Sequence, residues 1–295
     1  MSLLSLTDIP APAKLNLFLH VVGRRADGYH LLESVFVLID WCDTLHVERR
    51  ADGRLQRHDL TEPLPADDLC LRAARALQAA SGCSLGADIS IAKQVPAGAG
   101  MGGGSSDAAS VLLALNRLWG LQWPRERLQD LAQTLGADVP FFIFGRTALV
   151  LGIGEQLSAL DLPPQDFAVV KPAASIATAS IFSSPLLKRD TPSAILAGSL
   201  DSRVLAGLSS GYGHNDLQPP AQAACTEVAQ AARWLEQRFG NSRMTGSGSA
   251  VFSRVGPEDP TAATWPTEGA DALPEGWVGR RCRSLPRHPL VDWAG

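Results

Sequence analysis

Residues 96–107 read Pro96-Ala97-Gly98-Ala99-Gly100-Met101-Gly102-Gly103-Gly104-Ser105-Ser106-Asp107. Five glycines within 98–104 give a backbone that can turn repeatedly and approach a ligand closely. Ser105, Ser106 and Asp107 are residue types that cap a helix N-terminus, and the apolar Ala108 to Leu118 follows at once. Upstream, Asp88 to Val95 alternates apolar and polar side chains, as a half-buried strand does. A strand, a glycine-rich turn and a helix start whose first N–H groups are unpaired make a cradle for phosphate.

Three phosphate loops compete for this stretch. Gly98, Gly100 and Gly103 form a literal G-x-G-x-x-G, but a dinucleotide fold needs a second strand ending in an acid about 20 residues on. Here that place is taken by Trp119-Gly-Leu-Gln-Trp123-Pro124, which leads into another helix. Gly98 and Gly103 also have Walker A spacing, yet Gly104 stands where the lysine belongs. The remaining reading is a loop that wraps the phosphates of a nucleotide, with Ser105 and Ser106 offering hydroxyls to a phosphate or to Mg²⁺. The bland alternative is a flexible surface loop, against which Pro96 and the helix start argue.

The chain around this loop has 295 residues, 45% hydrophobic and 19% charged, which is enough for one large domain or two ordinary ones. A formal charge of −4 leaves no electrostatic footprint for nucleic acid or an anionic membrane. No apolar run approaches the 18 or so residues of a membrane span, and Met1 to Pro10 has no basic leader. The expectation is a soluble cytoplasmic protein with a small-molecule substrate, without nucleic-acid or membrane partners, monomeric or homodimeric. The five cysteines are scattered without a C-x-x-C pair, against a zinc knuckle or a disulfide framework. Lysine occurs only at 14, 93, 171 and 188 among 26 basic residues. Codon bias explains scarcity, but each remaining lysine is worth checking for a task that needs a compact ammonium.

Strands are expected at 14–22, 34–39, 44–49, 88–95, 147–151 and 167–170, and helices at 67–80, 108–118, 124–135 and 221–239. Leu162-Pro163-Pro164 marks a connection between domains, dividing the chain into 1–161 and 162–295. The stretch from Gly256 onward is rich in Pro, Gly and Trp, with no clear period.

Three segments resemble the motifs of GHMP-type small-molecule kinases: Pro12-Ala-Lys14-Leu-Asn16-Leu, the glycine loop, and Met244-Thr-Gly-Ser-Gly-Ser249. Gly28-Tyr29-His30-Leu-Leu-Glu33-Ser34 and Leu135-Gly-Ala-Asp138-Val-Pro-Phe-Phe142 resemble the branch that acts on a cytidine-diphosphate-linked methylerythritol. The resemblance covers most of residues 1–185 and resumes around 244–252. It implies an α/β fold (α+β, two domains), an ATP-binding domain first, and an active site between the domains. It places Lys14 and Asp138 at the catalytic positions and Pro96 to Ser106 on ATP, which Mg²⁺ accompanies. Tyr29, His30 and Phe182 match positions that hold the cytosine ring, and Asn16, Lys93 and Thr178 match the substrate pocket. CDP-methylerythritol is the substrate so implied; another kinase of the superfamily (acting on mevalonate, homoserine or a sugar) or a nucleotide-sensing binding protein are the rivals.

Phosphoryl transfer asks mostly for positioning and charge stabilisation. A carboxylate at the acceptor hydroxyl can take its proton, the task read for Asp138, whose plainer alternative is a helix cap. An ammonium can stabilise the transferring group, the task read for Lys14. Tyr29 and His30 after a turn can stack on a base, although hairpin packing is the ordinary explanation for such a pair.

Overall fold

Two long strands frame the molecule. In the computed structural model, which describes residues 3–196, 199–256 and 272–295, β1 (Ser5–Arg24) and β2 (His30–Arg50) pair antiparallel. The Asp27-Gly28 turn joins them: Gly28 takes φ 93°, and Asp27 Oδ1 accepts from the Tyr29 N–H at 3.2 Å. The two strands expected at 34–39 and 44–49 are one. Asp43, which interrupts the apolar pattern, is buried yet satisfied by the N–H groups of Gln94 and Val95 and by Lys93, so the strand continues through it.

Then come β3 (Leu55–Asp59), α1 (Leu69–Ser81), β4 (Gly86–Ala92), α2 (Gly103–Leu118), α3 (Arg125–Gln133), α4 (Val139–Phe144), β5 (Ala148–Gly152) and β6 (Gln156–Ala159). The later half has β7 (Asp166–Lys171), α5 (Thr178–Ser183), a ribbon of β8 (Ile195–Leu196) and β9 (Ser199–Leu200), α6 (Ser202–Gly207), α7 (Gln218–Ala224), α8 (Thr226–Phe239), β10 (Arg243–Met244), β11 (Val251–Val255) and β12 (Val278–Leu285). Ten strands form a mixed sheet in the order β10-β11-β7-β12-β2-β4-β3, with β1 and β5 also on β2 and β6 on β5. Among the described strands β3 and β4 pair in parallel, and the other pairs are antiparallel. This is the α/β class expected.

Three departures carry physical lessons. First, α2 begins at Gly103 with Gly102 in the cap position, so Ser105, Ser106 and Asp107 lie inside the helix and do not cap it. Second, the helix expected over 221–239 breaks at Cys225, which is extended at φ −145° and starts α8. Third, the C-terminal stretch contributes β12, which fills the gap between β7 and β2. Of its tryptophans, Trp277 and Trp293 are partly buried against the cores, and Trp265 falls outside the described residues. The main core lies between α1, α2 and the sheet, where Leu77, Leu112, Ile89 and Val47 are fully buried. Each such side chain contributes on the order of 1.5–3 kcal/mol, and Leu112 seats α2 on the sheet.

Candidate active site

Lys14 and Asn16 alternate on β1 and therefore share one face of the strand. Irregular pairing brackets them, between Pro12 and Lys14 and between Asn16 and Leu19. Such bulges re-aim side chains. Lys14 Nζ donates to Asn16 Oδ1 at 2.6 Å, lies 3.6 Å from Asp138 Oδ2, and sits 4.4 Å from the centre of the Phe36 ring. Burial pushes the Lys14 pKa down, opposed by the Asp138 charge. Asp138 stands at the cap position of α4, but its side chain makes no capping bond. The carboxylate is one-third exposed (33%) and open to a ligand.

Asn16 ties two motifs together. Its Oδ1 accepts from Lys14, from the Thr245 hydroxyl at 3.1 Å and from the Gly246 N–H at 2.9 Å. Its Nδ2 donates to Ser34 Oγ at 3.1 Å. The glycine loop is pinned by the same strands: Lys14 N–H bonds the Met101 carbonyl at 2.9 Å, and Ser249 and Ala250 N–H groups bond Gly98 and Ala99 carbonyls at 3.1 Å each. Gly98, Gly100 and Gly102 have φ of 62°, 71° and 71°, where a side chain is strained. At Gly100 a Cβ would also lie 2.3 Å from the Thr245 carbonyl oxygen.

These segments surround a cavity of about 410 Å³, lined by Lys14, Asn16, Asp138, Thr178, Phe182, Gly246 and three loop glycines among others. A neighbouring cavity of about 560 Å³ holds Tyr29 and His30 and shares Leu32, Ile153 and Phe182 as a common wall. A third, of about 360 Å³, is lined by Pro96 to Ser105 with Leu64, Lys93 and Asp107; Gly98, Gly100, Gly102 and Ser105 border the first cavity too. The His30 and Phe182 rings are 5.1 Å apart and inclined by 33°. Tyr29 is 61% exposed. Thr178 Oγ1 meets Ser247 Oγ at 2.7 Å.

Two expected site residues sit elsewhere. Lys93 does not line the cavity of Asn16 and Thr178; its ammonium is buried between Asp43 and Asp107, 2.5 Å from Asp107 Oδ2. Burial and the Asp43 charge push the Asp107 carboxyl up, with Lys93 opposing. Ser106 is fully buried, and its hydroxyl is spent on the Pro12 carbonyl at 2.7 Å, so it pins loop to strand and has no hydroxyl to offer a phosphate.

Residues 68–146 match the GHMP kinases N terminal domain. The chain is 62% identical over 296 residues, covering 100% of both chains, to the 4-diphosphocytidyl-2-C-methyl-D-erythritol kinase of Methylibium petroleiphilum. It belongs to the 4-diphosphocytidyl-2-C-methyl-D-erythritol kinase family. The member from Verminephrobacter eiseniae is 57% identical, with 98% of each chain covered. The crystal structure of a 4-(cytidine 5'-diphospho)-2C-methyl-D-erythritol kinase superposes with a TM-score of 0.72 at 36% identity, covering 86% of this chain and 91% of that one. The chain is thus a kinase of the GHMP fold with ATP as co-substrate.

Two buried residues behind the site, Thr245 and Lys171, carry little signal in the sequence. Thr245 is buried at the junction with Asn16 and was legible only as part of a second glycine cluster. Lys171 sends its ammonium to the carbonyls of Pro172 and Ala174, at 2.8 and 2.9 Å, and to Ser175 Oγ at 3.2 Å. Ser249 Oγ donates to the same Ala174 carbonyl at 2.6 Å, so Lys171 stiffens the strip behind the glycine loop. The rarity of lysine was the signal for it. Among the described residues no helix is long and apolar enough to cross a membrane.

Proposed function

We propose that this chain transfers the γ-phosphoryl group of ATP to a hydroxyl of 4-diphosphocytidyl-2-C-methyl-D-erythritol, giving the 2-phosphate in the non-mevalonate route to isoprenoid precursors. The observation that carries the reading is one shared wall. The cavity holding Lys14, Asp138 and the glycine loop borders the cavity holding Tyr29 and His30, so phosphate chemistry and an aromatic base pocket adjoin. ATP lies along the glycine loop, its phosphates on the backbone N–H groups at the start of α2. Gly102 at the cap carries no side chain to occupy those groups. Asp138 orients the acceptor hydroxyl and takes its proton as the O–P bond forms. Lys14, held in place by Asn16, stabilises the charge that spreads over the transferring group.

Mg²⁺ travels on the nucleotide in this reading. Such an ion needs only one or two protein oxygens beside the phosphates and water. The described residues contain no group of three His, Cys, Asp or Glu that could hold a metal, which suits an ion brought in on ATP better than a built cage. Ser105, which lines the central cavity beside the loop glycines, is the oxygen suited to it, the ion would neutralise phosphate charge, and Asp138 is left to the acceptor hydroxyl. Residues 1–161 are read as the ATP-binding lobe and 162–295 as its companion, because the cavity draws Lys14 and Asp138 from one and Thr178, Phe182 and Gly246 from the other.

The test is ADP release with ATP and Mg²⁺, with and without CDP-methylerythritol. Release should depend on that substrate. Equal release with mevalonate, homoserine or a sugar would assign the chain to another branch, and release with none of them would leave a binding protein.

A further inference from the structure

Asn215 is buried, and its side-chain amide is spent entirely on main chain. Nδ2 donates to the carbonyls of Met244 and Gly246, at 2.8 Å each, and Oδ1 accepts from the Leu217 N–H at 2.9 Å. A carbonyl only accepts and a backbone N–H only donates, so these partners leave the amide one orientation. The two carbonyls belong to the peptide units on either side of the one that joins Thr245 to Gly246. That middle unit carries the N–H that reaches Asn16 Oδ1 at 2.9 Å, and its own carbonyl accepts from the Gly248 N–H at 3.0 Å. With both flanking units held by one side chain, the middle unit keeps its direction. Asn215 is itself carried by β1. Leu19 N–H bonds the His214 carbonyl and Asp216 N–H bonds the Leu19 carbonyl, at 2.9 Å each, and Asp216 Oδ2 takes the Val21 N–H at 2.7 Å. The path from β1 through Asn215, Gly246 and Asn16 therefore returns to the same strand, beside Lys14.

We propose that Asn215 is a positioning residue for phosphoryl transfer: it aims the Gly246 N–H and the Thr245 hydroxyl at Asn16 Oδ1, and Asn16 in turn fixes the Lys14 ammonium. Asn16 Oδ1 serves three donors at once, Lys14 Nζ at 2.6 Å, Thr245 Oγ1 at 3.1 Å and Gly246 N at 2.9 Å. Two of the three belong to the segment that Asn215 clamps. A Gly246 peptide that turned away would free the Asn16 amide to rotate and would carry Lys14 with it. Displacing a catalytic group by about 1 Å is enough to cost roughly 100-fold in rate. Lys14, Asn16 and Gly246 line the central cavity, and Asn215 lies behind them, acting through its neighbours. The inference rests on the charge-stabilising role given to Lys14 above and adds the residue that sets where that charge lies.

Two variants of the full chain test this. Asn215→Asp keeps the shape and the acceptor for Leu217 but sets acceptors against the Met244 and Gly246 carbonyls. Asn215→Ser is neutral, and serves where a buried carboxylate prevents folding. In either variant kcat should fall on the order of 10–100-fold, the scale of a misplaced catalytic group. The KM for ATP and for CDP-methylerythritol should change little. The decisive comparison is the same substitution on a Lys14→Met background. With no ammonium left to place, it should cost at most about twofold in kcat there, as expected of residues that act in one chain. An equal loss on both backgrounds, an unchanged kcat, or a rise in KM alone would reject the positioning role. A Lys14→Met enzyme at the wild-type rate would instead sink the Lys14 reading beneath it. In the wild-type protein, hydrogen exchange followed by NMR should find the Gly246 N–H and both Asn215 side-chain protons protected. Ready exchange at Gly246 would overturn the proposal even where neither variant folds.

Discussion

Lys14 Nζ lies 3.6 Å from Asp138 Oδ2, with the ammonium buried and the carboxylate turned toward the cavity. The distance suits an ion pair whose partners can each turn to a ligand, since the strong bond of Lys14 is to Asn16 at 2.6 Å. Asp138→Asn should therefore fold and bind ATP, because the side chain caps nothing. Its turnover should fall at least ~100-fold, the usual scale for a lost acid/base group. Single-turnover measurements check this, and a near-wild-type rate would remove the role.

Lys14→Met should lower kcat more than it raises the KM for ATP, because its charge matters most as the phosphoryl group transfers. Asn16 keeps the Thr245 and Gly246 donors on Oδ1 without it, so the junction survives. A rise in KM for ATP at constant kcat would make Lys14 a ground-state phosphate ligand instead.

The glycines differ in what they tolerate. Gly100→Ala should weaken both ATP binding and thermal stability, since its Cβ meets the Thr245 carbonyl at 2.3 Å and its φ is positive. Gly103, at the start of α2, is not among the positive-φ positions, and a Cβ there meets Val95 Cγ1 at 3.1 Å. Gly103→Val should thus lose ATP affinity first, with a smaller drop in melting temperature than Gly100→Ala. Isothermal titration with ATP and a melting curve on each variant decide the order.

The contrast shows what sequence could convey. The glycine loop, the Lys14-Asn16 pair and Asp138 were legible because each is a local pattern with its own chemistry. Asp43, whose charge seemed to end a strand, is neutralised by Lys93 from 50 residues away, a pairing no window of sequence displays. Ser106 looked like a phosphate ligand because its neighbour Pro12, which takes its hydroxyl, is 94 residues off. Cys225 breaks a helix without the glycine or proline that would announce it. β12 carries Arg280, Arg281 and Arg283, so its place between β7 and β2 was hidden by charge.

Acid should destabilise the fold through two buried histidines. His20 has neither ring nitrogen partnered, and burial, then the nearby His214, push its pKa from 6.5 to about 4. Burial, with Arg125, takes His288 from 6.5 to about 3. The unfolded chain binds protons near pH 6.5 while the folded one does not, so stability present at neutral pH is lost as pH falls from 6.5 toward 4. His20→Phe, which fits beside Phe18 at 4.7 Å between ring centres, should flatten that slope. Denaturant midpoints at pH 7 and pH 5 measure it, and an equal loss in variant and wild type would sink the assignment.

The base pocket gives the last test. His30 and Phe182 already touch at 5.1 Å, whereas Tyr29 is mostly exposed at the open side. A cytosine ring entering between Tyr29 and Phe182 would gain two aromatic faces, each contributing about 1–3 kcal/mol. Only the Phe182 face is in place before the ligand arrives, since Arg189 holds its main chain. Phe182→Ala should therefore raise the KM for CDP-methylerythritol by roughly tenfold or more, at about 1.4 kcal/mol per decade. Tyr29→Ala should cost less, because an exposed ring must first be ordered. The pair need not add, since both rings share one ligand. ATP affinity should hold in both variants, and CDP alone should compete with substrate and not with ATP. Competition by CDP against ATP only, or equal phosphorylation of free methylerythritol, would refute the cytidine pocket and leave the kinase chemistry at Lys14 and Asp138 standing.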